Sequence, residues 1–184
     1  MTSVPAIAGV VLAGGASSRF GRDKAEEIWR GRTLLDWSIA ALDPLCEIVF
    51  VSGREHPDRE SVTDRPRPGL GPLGGLAGAL SAAHERGYER LLSLPCDTPQ
   101  LPKGLLDRLA EQKAAFAADC PVIGIWPTAK ASRLIAWLDR HGAGAMHAWA
   151  AGIGARAIET PFPIGNINSI KDLEQLDARR DPSG

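Results

Sequence analysis

The sequence has few cysteines and no long apolar run. Its three cysteines, Cys46, Cys96 and Cys120, are too few and too scattered for a disulfide framework or a zinc site. The longest apolar runs fall well short of a membrane-spanning helix, and the amino terminus lacks the charged and apolar parts of a cleavable signal. We therefore expect a cytoplasmic protein in a reducing compartment.

An excess of charge of either sign is also missing. Lysines and arginines number 21 against 22 aspartates and glutamates, so the formal net charge is -1. Binding to nucleic acid or to an anionic membrane surface normally requires a basic face, and this balance supports neither partner. The four histidines form no cluster along the chain and are interpreted as surface or structural residues: His56, His84, His141 and His147.

Apolar runs typical of buried strands alternate with helical patterns along the 184 residues, which are enough for one full core. The chain contains neither an internal repeat nor a linker. This alternation predicts a three-layer α/β fold, with a mostly parallel, Rossmann-like sheet and helices on both faces, in a single domain spanning residues 1–184. The first half is predicted to contain strands at residues 6–13, 47–52 and 90–94, helices at 34–41, 73–87 and 105–109, and a polar connection at 54–72.

The second half of the chain is less regular. Two short strands at residues 114–118 and 122–126 are predicted to be joined by a tight turn at Asp119-Cys120. Helical patterns cover residues 134–138 and 143–151, a last strand is expected at 155–159, and a polar helix is expected at the carboxyl end.

Residues 10–24 are the most informative segment, because a strand-like apolar run ends there at Gly14 and Gly15. Small polar residues follow, and then the cations Arg19 and Lys24. Glycines let the backbone approach a ligand closely, and consecutive amides in such a turn bind anions. The spacing matches neither a P-loop nor the Gly-x-Gly-x-x-Gly dinucleotide fingerprint. The segment therefore predicts a phosphate-binding site of another kind.

Asp97 lies in the segment Pro-Cys-Asp-Thr-Pro, which follows the third predicted strand directly. Ligands of open α/β sheets bind beyond the carboxyl ends of the strands, and Pro95 and Pro99 restrict the turn that carries Asp97. Mg²⁺ commonly takes one or two carboxylates together with phosphate oxygens, so Asp97 is the candidate metal ligand. The alternative is that Asp97 or Thr98 only caps the following helix.

Residues 12–24 resemble the signature LAGG-x-S-x-R-[FM]-G-x-[DN]-K of the nucleotidyltransferases that make nucleoside-diphosphate compounds, and every fixed position is met. In that superfamily the loop wraps the triphosphate of an incoming nucleotide. The resemblance implies that Arg19 and Lys24 neutralise charge as pyrophosphate leaves. The signature alone does not name the substrate.

Two further segments narrow the resemblance: Pro-Cys-Asp-Thr-Pro at 95–99 and Asn-Ile-Asn-Ser at 166–169. With them, residues 10–176 resemble the molybdenum cofactor guanylyltransferases, the MobA family. The resemblance implies transfer of GMP from GTP to the phosphate of molybdopterin, with Mg²⁺ as cofactor and pyrophosphate as product. It also implies transient contacts with other proteins of molybdenum-cofactor synthesis, and we expect a monomer.

The resemblance assigns roles to individual residues on the nucleotide side. Backbone atoms of residues 12–14 would contact guanine and ribose, and Gly15 would complete that loop. Lys24 would bind phosphate with help from Arg19. The carboxylate of Asp64 would accept the N1 and N2 protons of guanine, although an ordinary turn residue is the alternative. The implied nucleotide-binding residues are Leu12, Ala13, Gly14, Gly15, Lys24, Ser52 and Asp64.

On the acceptor side, the resemblance places Asn166 and Asn168 beside molybdopterin or in the metal shell, unless they only cap the last helix. Two positions depart from the family pattern. Ser52 stands where an asparagine is frequent, which implies a weaker or rebuilt contact to the nucleotide. The turn at Asp119-Cys120 lacks a charged segment that commonly ends in His-Pro, and only Pro121 remains. Binding of the acceptor is therefore expected to differ.

Other functions agree with parts of the same pattern. A cytidylyltransferase that uses CTP, or another small-molecule nucleotidyltransferase, differs in the base that it selects, so Asp64 distinguishes it. A nucleotide-binding regulator without catalysis is opposed by the presence of both Lys24 and Asp97.

Overall fold

The computed structural model describes residues 6–14, 23–167 and 171–173. Within these residues the chain forms nine strands and five α-helices. The strands are β1 Ile7–Leu12, β2 Ile28–Trp29, β3 Arg32–Thr33, β4 Ile48–Ser52, β5 Ser61–Val62, β6 Arg90–Pro95, β7 Ala115–Ala117, β8 Cys120–Pro127 and β9 Arg156–Ile158. The helices are α1 Leu34–Leu42, α2 Pro72–Glu85, α3 Leu105–Ala110, α4 Ala131–His141 and α5 Met146–Ile153, with short 3-10 turns at Lys24–Glu26 and Thr128–Lys130.

Seven strands form one sheet in the order β5-β4-β1-β6-β8-β7-β9. Strands β5, β4, β1 and β6 are parallel, and β8 is antiparallel to both of its neighbours. The pairing of β9 with β7 is parallel again, so β8 is the one reversed strand in the sheet of the described chain. The prediction of a mostly parallel sheet is confirmed.

Helices cover both faces of this sheet. Successive residues of a strand point to opposite sides, so apolar residues in a row contribute to a core on each face. On β1, Val10 and Leu12 pack in a core with Leu76 of α2, whereas Val11 packs in a second core with Ile39 of α1. The first core also contains α4 and α5, and the second contains α3. The three predicted layers are therefore present. Among the described residues, no helix combines the length and the apolar character needed to cross a membrane.

Three short strands were missed by the sequence analysis. The predicted polar connection contains β5, which adds an edge strand through the pairing of Val51 with Ser61. Strands β2 and β3 form a hairpin in which Ile28 pairs with Thr33. Each of these strands has two residues, which is too short to show the alternation on which a strand prediction depends.

The other elements predicted within the described residues are present, with shifted ends. The tight turn at Asp119-Cys120 does join β7 to β8, although Cys120 is already the first residue of β8. Helix α5 begins at Met146 rather than near residue 143. The predicted carboxyl-terminal helix lies mostly outside the described residues. The three residues described in this region, 171–173, are helical.

A buried hydrogen-bond chain joins β6 to β8. The indole Nε1 of Trp126 donates to Ser93 Oγ at 2.8 Å, and Ser93 Oγ donates to the carbonyl of Val122 at 2.6 Å. The side chains of Trp126 and Ser93 are fully buried. The chain of bonds therefore fixes β6, which leads to Asp97, against the reversed strand.

Ser93→Ala is expected to destabilise the protein by about 1–3 kcal/mol, because the buried indole N–H loses its acceptor. Ser81→Ala is the matched control, since Ser81 Oγ donates to the carbonyl of Ala77 within the same helix and alanine favours helices. We expect the control to change stability by less than about 0.5 kcal/mol. Urea unfolding of both variants measures the difference, and equal losses would contradict the role of Ser93.

Candidate active site

Three loops leave the sheet at one edge, where the parallel strands β4, β1 and β6 end together. Leu12, at the end of β1, pairs with Ser52 on one side and with Pro95 on the other. The loops that follow begin at Ala13, Gly53 and Cys96. This is the edge at which open α/β sheets bind ligands.

Two adjoining cavities lie at this edge. The smaller has a volume of about 260 Å³ and contains Lys24, Asp97 and Asn166 in its wall. The larger has a volume of about 770 Å³ and contains Ser52 and Asp64. Leu12, Gly14 and Pro72 line both cavities, so the two are neighbours.

The structure brings Lys24 and Asp97 together in the smaller cavity. Lys24 Nζ lies 3.6 Å from Asp97 Oδ2, and each side chain is about one-fifth exposed. Lys24 begins a 3-10 turn that Asp23 caps, because the amide of Ala25 donates to Asp23 Oδ1 at 3.2 Å. Asp97 accepts through its backbone carbonyl from Ile167 N at 2.8 Å, which brings the neighbouring Asn166 to the same cavity.

Burial raises the pKa of Asp97 above its ordinary value, and the nearby ammonium of Lys24 opposes this effect. Desolvation outweighs the ion pair, so the ionised carboxylate still lacks part of the stabilisation that water would give it. A cation bound beside Asp97 would supply that stabilisation. The position therefore suits a metal ligand better than a surface cap.

Burial also raises the pKa of the Cys96 thiol to about 11. At neutral pH this thiol is protonated and is a poor nucleophile. Cys96 is adjacent to Asp97 and lines the smaller cavity. Its protonated state indicates a packing residue rather than a catalytic nucleophile.

Gly14 and Gly53 allow the loops after β1 and β4 to touch. The φ of Gly53 is +90°, and a Cβ built on this residue would overlap the backbone of Gly14. The amide of Ala13 donates to the carbonyl of Ser52 at 2.9 Å and extends the strand pairing into the loops. The backbone predicted to bind phosphate therefore depends on Gly53 in the neighbouring loop as well as on Gly14 in its own loop.

The glycines of α2 position Asp64. A Cβ on Gly74 would lie 3.2 Å from Asp64 Oδ2, and one on Gly78 would overlap the carbonyl oxygen of Thr63. The amide of Arg65 donates to the carbonyl of Gly74 at 3.0 Å. These glycines therefore provide close packing, and that packing holds Asp64 in the wall of the larger cavity.

The structure places most of the predicted site residues in the two cavities. Three predicted residues, Gly15, Arg19 and Asn168, lie outside the described residues. The sequence analysis missed Arg54, which follows Gly53 directly and lines the larger cavity. The available signal was a cation two residues after the end of a strand that ends at this edge. The predicted residues found in the cavities are Leu12, Ala13, Gly14, Lys24, Ser52, Asp64, Asp97 and Asn166.

Residues 9–160 match the model of the MobA-like NTP transferase domain. The chain belongs to this family. The molybdenum cofactor guanylyltransferase of Acidiphilium cryptum (strain JF-5) is 37% identical, and the alignment covers 93% of this chain and 94% of that protein. The enzyme of the same name from Rhodobacter capsulatus is 33% identical, with 94% and 96% covered.

Solved structures have the same fold. Molybdopterin-guanine dinucleotide biosynthesis protein A from Archaeoglobus fulgidus superposes with a TM-score of 0.68 at 18% identity, covering 93% of this chain and 97% of that one. The 2-C-methyl-D-erythritol 4-phosphate cytidylyltransferase of Thermus thermophilus gives 0.65 at 21%, covering 92% and 96%. Rv0371c of Mycobacterium tuberculosis H37Rv, in complex with manganese, gives 0.59 at 16%, covering 95% and 100%. The fold is that of the nucleotidyltransferases.

Proposed function

We propose that this chain transfers GMP from GTP to molybdopterin and releases pyrophosphate, acting as one nucleotidyltransferase domain. The pairing of Lys24 with Asp97 in one cavity, beside a second cavity that contains Asp64, is the observation that carries the proposal. The guanylyltransferase names of relatives that match over almost the whole chain support the choice of GTP and molybdopterin.

The two cavities suit two parts of the reaction. The larger, at about 770 Å³, is within the usual size of a small-molecule site and would hold the guanine and ribose. The smaller contains Lys24 and Asp97 and would hold the reacting phosphates. Asn166, at the wall of the smaller cavity, and Asn168 would face molybdopterin.

Most of the catalysis in this proposal comes from position and charge. The phosphate of the acceptor is already an anion near neutral pH, so its attack on the α-phosphorus of GTP needs no general base. Lys24 would neutralise the charge that develops on the leaving pyrophosphate, with Arg19 in the same role. The backbone of Gly14 and Gly15 would hold the phosphates in line.

The residues of the smaller cavity fit Mg²⁺. Asp97 is a mostly buried carboxylate, and burial disfavours its ionised form. Among the described residues, no three or more His, Cys, Asp or Glu side chains form a cluster that could hold a metal ion. Mg²⁺ is typically held by one or two carboxylates together with substrate phosphates, and it does not require a larger protein cage. When bound beside Asp97, the ion supplies positive charge to the phosphate oxygens.

Titration calorimetry with GTP, CTP and ATP, each with Mg²⁺, tests the choice of nucleotide. We expect binding of GTP in preference to the other two, followed by formation of the guanine dinucleotide when molybdopterin is supplied. Preference for CTP would instead make the chain a cytidylyltransferase. Binding without turnover would make it a nucleotide-binding regulator.

Asp64→Ala is expected to reduce the preference for GTP over ATP by about 10- to 100-fold, because a charged acceptor for the N1 and N2 protons is lost. Asp58→Ala, in the same loop region but outside both cavities, should leave the preference unchanged. Dissociation constants for both nucleotides measure the effect. Equal discrimination by wild type and Asp64→Ala would remove Asp64 from the base site.

A further inference from the structure

Arg54 occupies a position for which the reaction described above has assigned no role. It follows Gly53 at the carboxyl end of β4 and lines the larger cavity. Among the described residues in the wall of that cavity, Arg54 is the one cation, and Asp64 and Glu55 are carboxylates. A triphosphate crossing this cavity toward Asp97 would need cations along its path.

The guanidinium of Arg54 is held beside the segment that carries Lys24. Its Nη2 forms a close ion pair with Asp23 Oδ2, and its Nη1 lies 3.5 Å from Glu26 Oε1. Asp23 lines the smaller cavity and Arg54 lines the larger one, so this ion pair stands where the two cavities adjoin. A nucleotide with its base in one cavity and its reacting phosphates in the other would cross the boundary between the two cavities, which Asp23 and Arg54 line from opposite sides.

One donor of the guanidinium remains unused. Arg54 Nε is buried and has no hydrogen-bond partner within the part of the chain that the structure describes, and the Arg54 side chain is 17% exposed. A buried N–H without an acceptor is costly, and the cost is removed when an acceptor is brought to it. Asp23 and Glu26 hold the other end of the planar group, so its orientation is fixed before a ligand arrives.

We propose that Arg54 is a phosphate-binding residue of this site, in addition to Lys24 and Arg19. Its guanidinium binds a phosphate oxygen of the nucleotide at the junction of the two cavities, and Asp23 orients it. Guanidinium groups suit phosphate because they offer several donors in one plane. The inference rests on the proposed function, since it requires a nucleotide that spans both cavities.

The test separates the phosphates from the nucleoside. Binding of GTP, inorganic pyrophosphate and guanosine, each with Mg²⁺, is measured for wild type, Arg54→Ala and Arg54→Lys. We expect Arg54→Ala to weaken GTP and pyrophosphate by about 10- to 100-fold and to leave guanosine unchanged. Arg54→Lys should recover part of the loss, because it keeps the charge without the planar donors.

Arg59→Ala is the matched control. Arg59 lies in the same loop region, also pairs with an aspartate (its Nη2 is 2.9 Å from Asp43 Oδ2) and lines neither cavity. The Arg59→Ala variant should bind all three probes as wild type does. Thermal unfolding of each variant checks that the fold is retained.

Each outcome decides for or against the proposal. Equal weakening of guanosine and pyrophosphate would make Arg54 a structural residue, and unchanged binding of both GTP and pyrophosphate would remove it from the site. If wild type binds pyrophosphate but no nucleotide, the proposed function fails. Weaker binding of pyrophosphate by Arg54→Ala would then still support Arg54 as a phosphate-binding residue, and unchanged binding would oppose it. If wild type binds no probe, both proposals are overturned.

Discussion

Asp97→Asn is expected to lower the rate of nucleotidyl transfer by at least about 100-fold, because the amide removes the charge that would hold Mg²⁺ beside the reacting phosphates. The asparagine has nearly the same shape, so the loop after β6 should keep its conformation. Initial rates at saturating GTP and Mg²⁺ measure the loss. Turnover close to that of wild type would remove Asp97 from the catalytic centre.

The same variant has a predicted effect on stability, of the opposite sign to that of most substitutions. Burial raises the pKa of Asp97 in the folded protein, so the folded state binds the proton more tightly than the unfolded state does. This residue's contribution to stability is then fully present below the ordinary pKa of aspartate and is lost as the pH rises through the folded value. At neutral pH, without metal, the ionised carboxylate lowers the free energy of unfolding.

We therefore expect metal-free Asp97→Asn to be more stable than wild type at pH 7, and the difference to shrink as the pH falls through the raised pKa of Asp97 and to change no further below about 4. Thermal unfolding across this range measures it. Asp107→Asn is the control, because Asp107 is exposed in the first turn of α3 and lines neither cavity. A variant less stable than wild type at pH 7 would show that the ion pair with Lys24 outweighs burial.

The part of the fold that carries the site was predictable because its strands are long and apolar. Strands β1, β4 and β6 each have five or six residues with mostly buried side chains, and turn residues follow them directly. Once these strands are parallel, their carboxyl ends must share one edge, and the glycine loop and Asp97 must meet there. At that edge Lys24 Nζ lies 3.6 Å from Asp97 Oδ2.

Other parts of the site depend on contacts that no local pattern records. Asp64 was predicted only from the family resemblance, because its place in the larger cavity results from the fit of α2 glycines against residues 63–65. Arg54 was missed because its side chain is held at the site by an ion pair with Asp23, which is 31 residues away in the chain. The short edge strand β5 was missed for the same reason, since only pairing with β4 defines it. Long-range geometry is therefore the part that the sequence left undetermined.

Gly53→Ala is expected to have the largest effect on the architecture of the site. A residue with a side chain is strained at φ +90°, and its Cβ would overlap the backbone of Gly14. The atoms that it would meet are main chain, so no side chain can move aside to make room. We expect a loss of stability of about 2–4 kcal/mol from backbone strain and forced displacement together.

The displacement should also separate the loops after β1 and β4 and disturb the backbone amides predicted to bind phosphate. GTP affinity should therefore fall by at least about 10-fold, even at temperatures where the variant is fully folded. Calorimetric titration with GTP and Mg²⁺, together with urea unfolding, measures the two effects. Wild-type affinity in a folded variant would show that the contact between Gly14 and Gly53 is not needed for nucleotide binding.

Gly31→Ala separates strain from displacement. Gly31 has a φ of +80° in the turn between β2 and β3, and within 4 Å a Cβ on it would meet no atom of the described residues other than its two chain neighbours. Its alanine variant should lose only about 1–2 kcal/mol from backbone strain and should bind GTP as wild type does. The additional loss of stability in Gly53→Ala, beyond that in Gly31→Ala, then measures the contribution of the backbone contact between Gly53 and Gly14. This contact lies where the nucleotide is expected to bind.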